Sequence, residues 1–209
     1  MRVRLVASGV CHSDLSLREG SLPALLPAVI GHEGAGVVTE VGGAVETLEV
    51  GDHVVLSWVV PCRQCRLCLA GRPELCEHGI DHAFAGPYGT AAGGPVHCGL
   101  GTGTFAEETV VPAAAAIRID PAFPLELAAL VGCAVCTGVG AVVNAAGVRP
   151  GDTVVVVGCG GVGLAAVQGA RLAGASVIVA VDRVPAKLAM ALDNGATATV
   201  DASALEPVD

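Results

Sequence analysis

Aromatic side chains are nearly missing: three Phe, one Tyr and one Trp in 209 residues. A core without such anchors has to be filled by Ala, Val and Gly, which demands close approach of backbones, as in α/β sheets. Charge is scarce too, at 15%, and 11 Lys and Arg face 20 Asp and Glu for a net −9. That balance argues against nucleic acid as a partner. The opening MRVRLVASGV has neither the apolar stretch nor the small-residue cleavage site of a secretory leader. Reduced thiols in a cytoplasm are therefore expected for the nine cysteines, an odd number that disulfide pairing alone would not use up. Long uncharged runs do occur, Leu127–Val148 and Thr153–Ala170. Gly132, Gly138, Gly140, Gly147 and Asn144 punctuate the first, and the second reads as strand, glycine turn and helix, so no membrane partner is expected.

What is present falls into two styles. Up to about Pro124, short β-branched runs (RVRLVA, GVVTEV, DHVVLSWVV, EETVVP) are bounded by Gly, Pro or Asp and joined by long connections that hold nearly all the Cys and His. PLELAALVG and TGVGAVVNAA then suit short helices opening at Pro124 and Thr137. From Gly151 the pattern alternates: strand Thr153–Val157, helix Gly161–Ala173, strand Ser176–Val181, helix Pro185–Asn194 and a further strand from Ala198. Such alternation predicts a parallel sheet with crossover helices. The fold class expected is α/β, with a β-rich domain over 1–134 and a nucleotide-binding domain over 135–209. A nucleotide-binding sheet needs about five or six strands, so the second domain is expected to be truncated and the first to lack its beginning.

CRQCRLCLAGRPELC places Cys62, Cys65, Cys68 and Cys76 within one short loop. Zinc takes four Cys or His ligands where it is structural, and three with one open position where it is catalytic. The C-x-x-C-x-x-C turn brings three sulfurs to one side and Cys76 closes the set, which predicts a structural zinc site with no room for a reactant.

TVVVVGCGGVG sets Gly158, Gly160 and Gly163 in G-x-G-x-x-G spacing after a strand and at the start of a helix. Gly158 permits the tight turn, Gly160 a close approach of pyrophosphate and Gly163 the packing of helix on strand, with phosphate at the helix N-terminus. Asp182 ends the next strand, where a carboxylate accepts both ribose hydroxyls and repels a 2′-phosphate. NAD is favoured over NADP, although Arg183 beside it is a group that accompanies such a phosphate. An α/β turn without ligand is the alternative.

GVCHSD, GHEGAG, GDHV, the four-cysteine loop, GTGTFAE, GCAVCTG and GCGGVG occur in an order that resembles the zinc-dependent medium-chain alcohol dehydrogenases. The resemblance implies a GroES-like catalytic domain followed by the first part of a Rossmann domain. It implies a catalytic zinc on Cys11, His32 and Cys133, with Cys136 a rival for the third place, and a structural zinc on Cys62, Cys65, Cys68 and Cys76. Asp14 would orient the ligand histidine, Glu33 would sit behind the zinc, and Ser13 would take the proton of a bound alcohol as NAD accepts hydride. His12, Thr137, Gly158, Gly160, Gly161, Val162, Gly163, Asp182, Arg183 and Lys187 would contact the cofactor. Ser16 stands where many members carry a proton-relaying histidine, so a slower or water-borne relay is expected. Trp58 takes the place of an aromatic that narrows the alcohol pocket, or is simply core. Leu22 and Ile80 replace the charged residues that glutathione-using members need. An alcohol or aldehyde is the substrate implied, with a homo-oligomer for the full-length enzyme. The alternatives are an inactive fragment of such an enzyme and a zinc-stapled binding module.

Overall fold

A computed structural model describes residues 1–84, 86–91 and 93–204. Two compact units meet the eye along the chain, Met1–Cys133 and Ala134–Asp209.

The first unit is built on an antiparallel sheet of order β7-β1-β3-β4-β8. Its strands are β1 (Arg2–Gly9), β3 (Glu33–Glu40), β4 (His53–Leu56), β7 (Glu108–Val110) and β8 (Ala116–Arg118). Alternation along each strand sends side chains to both faces. Val3, Val38, Val54 and Leu56 enter one apolar cluster, while Ala35 and Val55 join Leu125, Ala128 and Ala129 in another. The last three belong to helix α3 (Leu125–Ala128) and the turn after it, which close the second face. Helix α1 (His12–Glu19) follows β1 and ends on Gly20 at φ 78°. A smaller sheet pairs β2 (Ala28–Val29) with β6 (Gly94–Cys98), and β6 with β5 (Gly89–Ala91). The cysteine-rich loop carries one four-residue helix, α2 (Arg66–Leu69).

DHVVLSWVV forms a strand only to Leu56. Beyond it the Ser57 hydroxyl bonds to Val59 O at 2.8 Å and accepts from Val59 N at 3.3 Å. This local turn takes the backbone out of the ladder, as side-chain hydroxyls near the main chain often do.

The second unit is a parallel sheet of order β11-β10-β9, from β9 (Thr153–Val157), β10 (Val177–Asp182) and β11 (Ala198–Asp201). Helices α5 (Gly161–Leu172) and α6 (Pro185–Asp193) make the crossovers. The alternation from Thr153 onward matches the expectation to within a residue or two. The preceding helix does not: α4 spans Ala134–Gly140 and runs on into a π-turn over Ala141–Ala145. It opens before Thr137, because the break comes at Cys133 (φ −139°, ψ −75°) and the Thr lies inside the helix.

Scarce aromatics are compensated by glycine contacts. A Cβ on Gly138 of α4 would lie 2.3 Å from Val162 O and 2.6 Å from the Ala165 methyl of α5, and one on Gly169 would lie 3.0 Å from the Val139 Cα. The two helices therefore touch main chain to main chain. No single helix among the described residues is long and apolar enough to cross a membrane.

Candidate functional site

One end of the five-stranded sheet gathers the site. The end of β1 pairs with the start of β3, Gly9 opposite Glu33, so the segments that leave them begin side by side. Cys11 caps the N-terminus of α1 just past β1, and His32 precedes the first residue of β3. β4 runs antiparallel to β3, and its last residues lie at the same end. There Gly132 sits against the Leu56 carbonyl, where a Cβ would approach to 2.5 Å. This close seat sets Cys133, the next residue, beside the other two.

Cys11, His32, Glu33 and Cys133 each offer a donor atom, all within 4.8 Å of one another. His32 and Glu33 are buried, and the thiols are half-buried. The cysteine that joins Cys11 and His32 in this cluster is Cys133, whereas Cys136 is exposed. Gly9 is what admits Glu33 here, because a Cβ on Gly9 would fall 2.0 Å from its Oε2. Burial, then the charges of Cys11 and Glu33, push the Cys133 thiol up to about 12. Three acidic groups packed around one point resist joint ionisation unless a cation joins them, so this donor set fits a divalent metal of borderline softness.

Asp14 organises the ligands. It is 2% exposed. Its Oδ1 accepts from the Gly31 amide at 3.0 Å and faces His32 Nδ1 at 3.0 Å, while Oδ2 accepts from the Cys11 amide at 3.0 Å. The carboxylate thereby holds both loops and leaves Nε2 of His32 as the nitrogen available to a metal. Asp14→Asn is expected to weaken zinc binding at this cluster about 10- to 100-fold, measured by chelator competition, with no change at the four cysteines. Ser13 Oγ lies 3.7 Å from Cys11 Sγ. Trp58 meets the His32 ring edge-on, with centroids 6.4 Å apart and planes at 80°. Ser16 is half-buried, and His12 is exposed on the first turn of α1.

Cys62, Cys65, Cys68 and Cys76 form a second set of donors within 4.8 Å of one another. Backbone amides already point at the sulfurs: Cys62 N to Cys76 Sγ at 3.2 Å, Cys65 N to Cys62 Sγ at 3.3 Å and His78 N to Cys76 Sγ at 3.4 Å. Amides of Cys68 and Glu77 bring Cys65 down to about 6, while burial pushes Cys68 up to about 12. Amide donors aimed at sulfur favour thiolates, the form that ligates metal.

In the second unit the glycine turn has the expected geometry. Gly158 adopts φ 91°, and a Cβ on Gly163 would fall 1.8 Å from Gly158 O. Gly160 caps α5 and its Cβ position faces open space. Asp182 accepts from Cys159 N at 2.7 Å, Arg183 N at 2.8 Å and Val184 N at 3.0 Å. These amides, that of Cys159 foremost, hold its carboxyl below the usual range. A groove of ≈ 630 Å³ opens at the carboxyl ends of the strands, lined by Gly158, Asp182, Arg183 and Ser203. Ligands of open α/β sheets bind at such ends. Gly161, Val162, Lys187 and Thr137 are all exposed.

Residues 1–121 match the family described as Alcohol dehydrogenase GroES-like domain, and residues 161–209 match Zinc-binding dehydrogenase. The chain belongs to the zinc-dependent medium-chain alcohol dehydrogenases. It is 46% identical over 204 residues to putative alcohol dehydrogenase D of Mycobacterium tuberculosis, a match that covers 93% of this chain and 54% of that protein. It is 44% identical to S-(hydroxymethyl)glutathione dehydrogenase of Saccharomyces cerevisiae, covering 87% of this chain and 49% of that one. Among solved structures, an alcohol dehydrogenase zinc-binding domain protein from Burkholderia ambifaria shares 42% identity with TM-score 0.91, over 98% of this chain and 57% of that chain. Benzyl alcohol dehydrogenase from Acinetobacter calcoaceticus shares 37% identity with TM-score 0.89, over 99% and 57% respectively. The chain thus spans about half the length of the curated relatives it matches. Its fold class is that of the family, a GroES-like domain followed by the first part of a Rossmann sheet.

Sequence motifs named every donor in the two clusters. They did not identify the two extra amides on Asp14, the space that Gly9 leaves for Glu33, or any task for the threonines of GTGTFAE. A signal for the last was there, in two Thr spaced by single glycines within one short motif.

Proposed function

We propose that this chain carries the catalytic zinc site, a structural zinc site and the adenosine half of the cofactor site of an NAD-dependent alcohol dehydrogenase, with one zinc at each cluster. The observation that carries this reading is the buried Asp14–His32 pair beside Cys11 and Cys133. Zinc held there supplies Lewis acidity toward an alcohol oxygen, and the nicotinamide supplies the hydride acceptor. Cys11 and Cys133 balance the metal's charge as thiolates. Asp14 fixes the tautomer of His32 so that Nε2 faces the metal. Ser13 Oγ, next to Cys11, takes the hydroxyl proton of the alcohol and hands it outward past Ser16, whose hydroxyl needs water as its partner. His12 and Thr137 contact the cofactor. Asp182 holds the adenosine ribose, and the amides that lower its pKa keep it an ionised acceptor for two hydroxyls, which supports NAD over NADP. Trp58, edge-on to His32, leaves the substrate side narrow and favours slim primary alcohols.

Glutathione-linked aldehydes fit less well, because Leu22 and Ile80, both partly exposed and apolar, offer nothing to a charged peptide. The deciding experiment is metal content together with NADH formation from ethanol. The reading expects two zinc ions per purified chain and turnover once the protein has the full length of its relatives. One zinc per chain, retained by the four cysteines alone, would favour a zinc-stapled binding module instead.

A further inference from the structure

Among the described residues, the buried polar ones outside Asp14, His32 and Glu33 are Thr102, Thr104 and Thr109, 0%, 2% and 5% exposed. Their bonds converge on the residue before the metal-facing histidine. The Gly31 carbonyl accepts from Thr102 Oγ1 at 3.3 Å and from Thr104 N at 3.0 Å, and the Ile30 carbonyl accepts from Phe105 N at 2.9 Å. Thr109 Oγ1 in turn donates to Thr102 O. Thr104 Oγ1 meets Ser8 Oγ at 2.7 Å, and Ser8 Oγ donates to Gly9 O at 3.3 Å, so Thr104 is the donor in the first of these. Ser8 and Gly9 are the end of β1 that faces Gly34 and Glu33.

Gly31 is thus held at both of its backbone groups, its N–H by Asp14 and its carbonyl by Thr102 and Thr104. Packing tightens the grip. At Gly31, with φ 97°, a Cβ would lie 2.6 Å from both Thr104 Oγ1 and Phe105 Cδ1, and at Gly34 one would lie 2.5 Å from Thr104 Cγ2. Gly31 and Gly34 therefore both lie directly against Thr104.

The geometry points to Thr102 and Thr104 as positioning residues for His32, setting the direction of its ring through the Gly31 carbonyl rather than by touching metal or substrate. The inference rests on the metal reading given above. Partners one shell removed from a metal ligand typically change affinity about 10- to 100-fold when lost; this brace acts through the Gly31 backbone, further from the ring than Asp14, so the lower end of that range is expected.

The test loads the purified chain with cobalt(II), whose visible absorption reports ligand geometry, and titrates it with a chelator. Thr102→Val keeps the branched shape and loses the hydroxyl; Thr102→Ser keeps the hydroxyl. The valine chain is expected to bind cobalt at the Cys11–His32–Cys133 cluster about 10-fold more weakly, with a shifted absorption band, while the four-cysteine cobalt is unchanged and Thr102→Ser restores both readings. Ser8→Ala, at the half-buried end of the network, is expected to shift affinity the same way by about 5-fold, and it provides the reading if the valine chain fails to fold. Unchanged spectrum and affinity in both Thr102→Val and Ser8→Ala, whatever their melting temperatures, would overturn the inference alone. A wild-type chain that takes cobalt only at the four cysteines would overturn the metal reading and this inference together.

Discussion

Cys133→Ala is expected to lower bound zinc from two ions to one per chain after mild chelation, and to cut alcohol turnover of the full-length protein at least ~1,000-fold. The magnitude follows from removing Lewis-acid stabilisation of several kcal/mol, at 1.36 kcal/mol for each factor of ten in rate. The change leaves Cys11, His32 and Glu33 as donors, one thiolate fewer, in a pocket that already holds a carboxylate. A metal bound by that remainder would be weaker and differently charged. Cys136→Ala is the control, because its thiol is exposed; both zinc ions should stay. Metal analysis of the two variants side by side checks the assignment, and a zinc ion lost from Cys136→Ala but kept by Cys133→Ala would reverse it.

The second large effect concerns the four-cysteine loop. Neither α2 nor the turn at Pro73–Leu75 buries a single residue, and Leu69 is 76% exposed. Apolar burial therefore contributes almost nothing to this loop, and a four-residue helix has no stability of its own. Its shape depends on the sulfurs and what they bind. Cys68→Ser should release the zinc proposed for this cluster and open the loop, raising the rate of tryptic cleavage at Arg63 and Arg66 at least 100-fold, which corresponds to about 3 kcal/mol of local stability. Limited proteolysis followed by mass spectrometry measures it directly. Equal cleavage of the variant and the parent, with zinc gone, would mean that packing shapes the loop after all.

The contrast between the two clusters explains what could be read from the sequence. The four cysteines lie within a single loop, so their spacing alone announced them. Cys11, His32 and Cys133 are distant in the chain and carry no mutual spacing; only the flanking motifs singled them out, and it took the pairing of β1 with β3 and the seat of Gly132 on Leu56 to show why they meet. The glycine turn was legible because each glycine has a local reason to be there, Gly158 by its dihedral angle and Gly163 by its contact. Less visible was whatever depended on partners far along the chain. The Gly31 carbonyl finds its donors at Thr102 and Thr104, and no periodicity announces a bond between those segments. The start of α4 was misplaced at Thr137 for the opposite reason: a good capping residue was present, but the break that governs the helix lies at Cys133, where no capping signal stands.

One carboxylate spanning two loops has a kinetic consequence. Asp14 ties the Cys11 amide to the Gly31 amide and the His32 ring, so neither loop can swing away while the other stays in place. Departure of the ion should then be a concerted event with a single rate constant, and half-dissociated species, held by one sulfur or by the imidazole alone, should not accumulate.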